Sequence, residues 1–112
     1  MTRITLDVPP SANKYYRHVD GRVLRSREAN EYKQMVGWLC NTAGMTPIDG
    51  AVRLTLRVYR KRKQGDTDNY LKVCLDALQG FAYNNDSQIV EIHAYRYDDP
   101  SCPRVEVEVE AI

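Results

Sequence analysis

The sequence predicts an α/β protein of the α+β type, with two helices set among four strands in the order β-α-β-α-β-β. Four segments alternate apolar and polar residues with the period of a half-buried strand, around residues 3–8, 52–59, 86–97 and 105–109. Two others, residues 26–43 and 66–78, repeat apolar residues at intervals of three and four, the period of an amphipathic helix. The 112 residues suit a single domain, 1–112, with no repeat, linker or low-complexity tract. A chain this short gains stability from a partner subunit.

In order, Ile4, Leu6 and Val8 alternate with Thr5 and Asp7, and Pro9-Pro10 ends that strand because proline cannot extend a hydrogen-bond ladder. A polar and aromatic loop, Asn13-Lys14-Tyr15-Tyr16-Arg17-His18, leads to a turn at Asp20-Gly21. Ser26 is placed to cap a helix whose apolar positions are Ala29, Tyr32, Val36, Leu39, Cys40 and Ala43, closed by Gly44 and Pro47. Val52, Leu54, Leu56 and Val58 then alternate with Arg53, Thr55, Arg57 and Tyr59, a strand with one apolar and one basic face. Asp66 or Asp68 begins the second helix, which runs to Leu78 with Gly80 as its stop. Asp86 is expected to open a third strand in which Val90, Ile92 and Ala94 mark one face. Val105, Val107 and Val109 form the last strand, and the final two strands are expected to pair as a hairpin.

Ordinary globular proportions of charged and apolar residues exclude a disordered chain. No apolar run approaches the roughly 20 residues that span a bilayer, and the N-terminus lacks a signal-peptide core. A soluble cytoplasmic protein is expected. The three cysteines, Cys40, Cys74 and Cys102, form no CxxC pair and lie far from either histidine in sequence, which argues for free thiols rather than zinc. The net charge of +1 hides a segregation: residues 1–63 hold 13 Lys/Arg against 5 Asp/Glu, and residues 64–112 hold 3 against 10. That suits an enzyme with a basic surface for phosphates and acids for a metal, and equally an ordinary solvated surface.

The densest chemistry lies in Asp66, Asp68, Asn69, Lys72 and Asp76, followed by Asp86. On a helix, Asp68, Lys72 and Asp76 fall within about 80° of one another, while Leu71, Cys74, Leu75 and Leu78 face elsewhere. Carboxylates so crowded resist full ionisation unless a cation lies between them. A capping role for Asp66 or Asp68 and a surface ion-pair row through Lys72 account for the pieces separately. They do not account for both acids together with Asn69 and Asp86. An EF-hand loop is disfavoured, because Tyr70 and Leu71 fall where a ligand and a glycine are needed.

The pattern Asp-x-Asp-Asn-x-x-Lys-x-x-x-Asp-Ala-Leu, then Asn-Asp-Ser-Gln-Ile-Val-Glu, resembles the RusA family of Holliday junction resolvases. The opening Pro9-Pro10-Ser11-Ala12-Asn13-Lys14-Tyr15-Tyr16-Arg17 is similar too, so the likeness runs from about Leu6 to Arg96. It implies a homodimer with a mixed β-sheet and four-way junction DNA as substrate, in a bacterial or phage setting. It also implies catalytic, metal-binding aspartates at Asp66, Asp68 and Asp86, with Lys72 as the essential basic residue. Where members of the family often carry two consecutive acids, this chain has Asn85-Asp86.

Aspartate oxygens suit Mg²⁺ or Mn²⁺, and in-line attack of water on the scissile phosphate is the expected chemistry. Arg57, Arg60, Lys61, Arg62 and Lys63 are the expected phosphate contacts, with Lys14 and Arg17 weaker candidates. Asn69 is a further nucleic-acid contact, and Tyr15 and Tyr16 are candidates to stack on unpaired bases or to pack internally. The competing readings are a nuclease for other branched or flapped DNA and a non-catalytic junction-binding protein.

Overall fold

The computed structural model describes residues 2–10, 12–61 and 67–112, side chains at 12, 13 and 67–69 excepted. Strand β1 (Thr2–Leu6) is followed by a short helix α1 (Ala12–Tyr15) and two short strands, β2 (Tyr16–Val19) and β3 (Arg22–Arg25). Helix α2 (Arg27–Thr42), strand β4 (Val52–Arg60) and helix α3 (Thr67–Leu78) come next. A 3₁₀ turn at Asp86–Gln88 then enters β5 (Ile89–Asp98), and β6 (Arg104–Ala111) closes the chain.

β1, β6, β4 and β5 form a mixed sheet in that order. β6 runs antiparallel to both β1 and β4, while β5 runs parallel to β4. The expected final hairpin is therefore not formed: β5 and β6 lie on either side of β4. The physical reason is α3, because a strand reached through a crossover helix returns parallel to the strand before it. The third strand also starts later than expected, at Ile89 rather than Asp86.

β4 alternates as its pattern requires, with Val52, Leu54, Leu56 and Val58 buried on the helix side and Arg53, Thr55 and Arg57 on the open face. Ile4, Leu6, Val105, Val107 and Val109 complete the sheet's contribution to the core. α2 supplies Ala29, Tyr32, Val36 and Cys40, and α3 supplies Val73, Cys74, Ala77 and Leu78. Each buried aliphatic side chain contributes about 1.5–3 kcal/mol relative to exposure. Ser26 caps α2 as its position suggested, its Oγ accepting from the Ala29 N–H at 3.1 Å.

Val90, Ile92 and Ala94, expected to mark one face of β5, are all exposed, Val90 by 60 % and Ile92 by 46 %. Val90 is the extra residue of a register shift between the Val52–Ile89 and Arg53–Glu91 pairs. β5 is an edge strand ten residues long, with exposed apolar side chains and no proline.

The second unexpected element is the β2–β3 hairpin, a separate two-stranded sheet joined at Asp20-Gly21. Both turn residues have positive φ, 49° and 74°, as a tight two-residue hairpin turn demands. The sequence marked the turn but not the strands beside it.

Candidate active site

Asp86 is positioned by a loop with little freedom. The Asn85 side-chain oxygen accepts from the Ser87 N–H at 2.9 Å, and the Gln88 Oε1 accepts from the N–H groups of Asn84 and Asn85, both at 2.8 Å. The Gln88 amide nitrogen donates to the carbonyls of Ile48 and Gly50 at 2.6 and 2.8 Å. This capping box explains why an amide serves at position 85: the side chain there is occupied in holding the turn. The Asp86 N–H points to the Gln79 Oε1 at 3.3 Å. Its exposed carboxylate takes no hydrogen bond or ion pair among the described residues, and two hard oxygens open to solvent suit a divalent cation.

α3 carries the other candidates. Lys72 is exposed, with no carboxylate within ion-pair distance among the described residues. The alternative ion pair between Lys72 and Asp76 is not formed, because Asp76 is taken: Arg25 donates to it through Nε at 2.8 Å and Nη2 at 2.9 Å, and the Tyr15 hydroxyl donates a short hydrogen bond. Burial by itself would raise the Asp76 carboxyl. The bonds from Arg25 and Tyr15 and the charges of Arg25 and Lys33 outweigh it, so the group stays below the usual carboxylate range. Lys33 Nζ donates to the carbonyls of Asp76 and Gln79 at 2.7 and 2.8 Å, satisfying the C-terminal end of α3. Asp76 is thus a structural clamp between α3, α1 and β3.

Asp66, Arg62 and Lys63 lie outside the described residues, as do the side chains of Asp68 and Asn69. The backbone of Asp68 belongs to the first turn of α3, whereas Asp86 is tied to Gln79, just past the last turn. The rise between Asp68 and Gln79 is about 16 Å. Within one chain the backbone positions of Asp68 and Asp86 lie toward opposite ends of α3. Among the described residues no three His, Cys, Asp or Glu side chains gather closely enough to hold an ion.

The expected nucleic-acid contacts divide. Tyr15 is fully buried with its hydroxyl on Asp76, so it packs and does not stack on bases; Tyr16 is half-buried, edge-on to Tyr15 at 4.9 Å between ring centres. Arg57 is held by Glu108 at 2.9 Å on the open face of the sheet, and the largely buried Arg60 pairs with Asp98 at 2.8 Å. Lys61, Lys14 and Arg17 are exposed. The three cysteines are free, Cys40 and Cys74 buried and Cys102 exposed, and burial pushes the Cys74 thiol up to about 12.

A model of the family described as Endodeoxyribonuclease RusA matches residues 7–110. This chain belongs to the RusA family. The crossover junction endodeoxyribonuclease RusA of Escherichia coli (strain K12) is 33 % identical over 111 residues, covering 95 % of this chain and 91 % of the relative. The protein of the same name from Enterobacteria phage 82 is 32 % identical over 111 residues with the same coverage. By this membership the chain is a nuclease that hydrolyses DNA, and its mixed sheet with two principal helices agrees with the RusA fold. Among the described residues no helix is long and apolar enough to cross a membrane.

Proposed function

We propose that this RusA family member resolves four-way DNA junctions in recombination and repair, as a homodimer using Mg²⁺ or Mn²⁺ and making paired symmetric nicks. The observation that carries the reading is a match to crossover junction endodeoxyribonucleases over 95 % of the chain. Asp66, Asp68 and Asp86 are its metal-binding carboxylates. A bound divalent ion would supply Lewis-acid stabilisation of the scissile phosphate and acidify the attacking water. The capped turn presents the Asp86 oxygens to solvent without rearrangement. Lys72, one turn along α3 from Asp68, meets negative charge developing on the phosphate. The phage 82 relative supports a phage or prophage origin and a setting in the bacterial cytoplasm.

The same geometry supports the homodimer reading. α3 returns the chain from the Arg60 end of β4 to its Val52 end, which puts Asp68 toward one end of β5 and Asp86 at the other. β5 is a long apolar edge, the kind of strand that soluble proteins cover or pair. Two copies joined antiparallel along β5 about a twofold axis bring the Asp86 of one chain toward the α3 start of the other. A pairing centred on Ile92 also sets Glu91 opposite His93 and Val90 opposite Ala94. Each site then draws on both chains, and two equivalent sites suit the approximate twofold symmetry of a four-way junction.

The test is a labelled synthetic junction incubated with and without Mg²⁺, the cut positions being mapped. Paired cuts placed symmetrically and only with metal are expected. Equal or preferred cutting of three-way or flapped substrates would replace the reading with a broader branched-DNA nuclease. Junction binding without cutting would overturn it.

A further inference from the structure

Among the described residues, five of the six arginines of the four-stranded sheet are paired with acids: Arg3 and Arg57 with Glu108, Arg53 with Glu91 and Glu110, Arg60 with Asp98, and Arg104 with Asp99 and Glu106. Of the described basic residues without an ion pair, Lys14, Arg17 and Arg22 sit within nine residues on α1 and the β2–β3 hairpin; Lys33, whose Nζ is held by backbone carbonyls, Lys61, Lys72 and Arg96 are the others.

The hairpin register sets Arg17 opposite Leu24 and Val19 opposite Arg22, so one face carries two arginines with aliphatic side chains between them. Leu24 is 37 % exposed and Val19 half-buried, whereas Val23, opposite His18, lies on the other face. The hairpin is fixed at its base: Arg25 and Tyr15 hold Asp76, and the Ser26 N–H bonds the Tyr15 carbonyl at 2.8 Å. A groove of about 520 Å³ between hairpin and helices is lined by Tyr16, Val23, Leu24, Arg25, Asn30 and Asp76. Its Asp76 wall is one helical turn from Lys72, on the same side of α3.

We propose that the β2–β3 hairpin is a branch-reading arm, with Arg17 and Arg22 binding backbone phosphates while Val19 and Leu24, on the same face, press against bases unstacked at the junction. The proposal rests on the reading of the chain as a junction nuclease and adds the surface that distinguishes branched from linear DNA. Apolar side chains flanked by arginines engage unstacked base steps this way, the arginines supplying sequence-independent attraction. Anchorage through Asp76 holds the arm in register with the helix that bears Lys72, so a strand held by the arm enters beside that lysine.

The experiment measures binding of the full chain to a four-way junction and to a linear duplex of equal length, without divalent metal, over a salt series. Arg17→Gln/Arg22→Gln is expected to weaken junction binding by about tenfold or more and to flatten the slope of log affinity against log salt by about 2 per chain. Arg17→Lys/Arg22→Lys, which keeps the charge, should retain the slope. Val19→Ser/Leu24→Ser should lose at least about fivefold of the preference for junction over duplex while its duplex affinity and salt slope stay those of the wild type. Melting temperatures near the wild-type value check that the variants fold. Wild-type affinity, slope and preference in the glutamine and serine pairs, with a wild-type protein that cuts junctions, would overturn the arm and leave the nuclease reading intact. A wild-type protein that neither binds nor cuts junctions would overturn both.

Discussion

Arg25 grips Asp76 through two hydrogen bonds of 2.8 and 2.9 Å, joining the end of β3 to α3 across 51 residues of sequence. Arg25 is 40 % exposed and Asp76 20 %, so solvent screens the pair, and Asp76→Asn should cost about 1–2 kcal/mol at pH 7. The folded Asp76 carboxyl lies below its ordinary value of about 3.9, so its stabilisation is complete above that pH and fades as pH falls through the folded value. Urea unfolding of wild type and variant should therefore differ at neutral pH and converge below about pH 4. A gap independent of pH would mean that the ionised carboxylate is not what stabilises the fold.

Asp86 and its neighbour should separate chemistry from structure. Asp86→Asn removes a carboxylate that has no partner among the described residues, so thermal stability should stay near wild type while junction cleavage falls by orders of magnitude and binding is largely kept. Asn85→Ala removes the cap of the turn and should cost about 1 kcal/mol. Asn85→Asp preserves an accepting oxygen and should keep both stability and cleavage. Unimpaired cleavage by Asp86→Asn would remove Asp86 from the site.

The thiols offer a check on the packing of the two helices. Cys102 should react with iodoacetamide in the native protein, whereas Cys40 and Cys74 should react only after denaturation. Cys74 should be the more inert of the two at alkaline pH, its thiol being pushed up to about 12. Mass mapping of the labelled cysteines decides it.

What could be read from the sequence was what local pattern controls. The β4 alternation, the Ser26 cap and the amphipathic course of α2 and α3 each depend on neighbouring residues, and each is present as predicted. Strand partners depend on the crossover instead: alternation marked both β5 and β6 but did not say that α3 would lay β5 parallel to β4 and leave it at the edge. The β-α-β order carried that signal, since a helical crossover favours parallel strands. The charge segregation left two readings open for a related reason. Arginines of the first half meet glutamates of the second across the β4–β6 pairing, Arg53 with Glu110 and Arg57 with Glu108, so a contrast along the chain becomes neutrality on the sheet. Tyr15 stood open between stacking and packing because the carboxylate that takes its hydroxyl lies 61 positions away.

The central claim is that each cation site draws Asp68 from one chain and Asp86 from its partner. Asp68→Asn and Asp86→Asn chains are each expected to be inactive alone. Refolded together, they form heterodimers in which one site has lost both acids and the other keeps both. The account predicts that nicking of a four-way junction returns in the mixture, as single nicks rather than paired ones. A mixture as inactive as either variant alone, beside an active wild type, would contradict it.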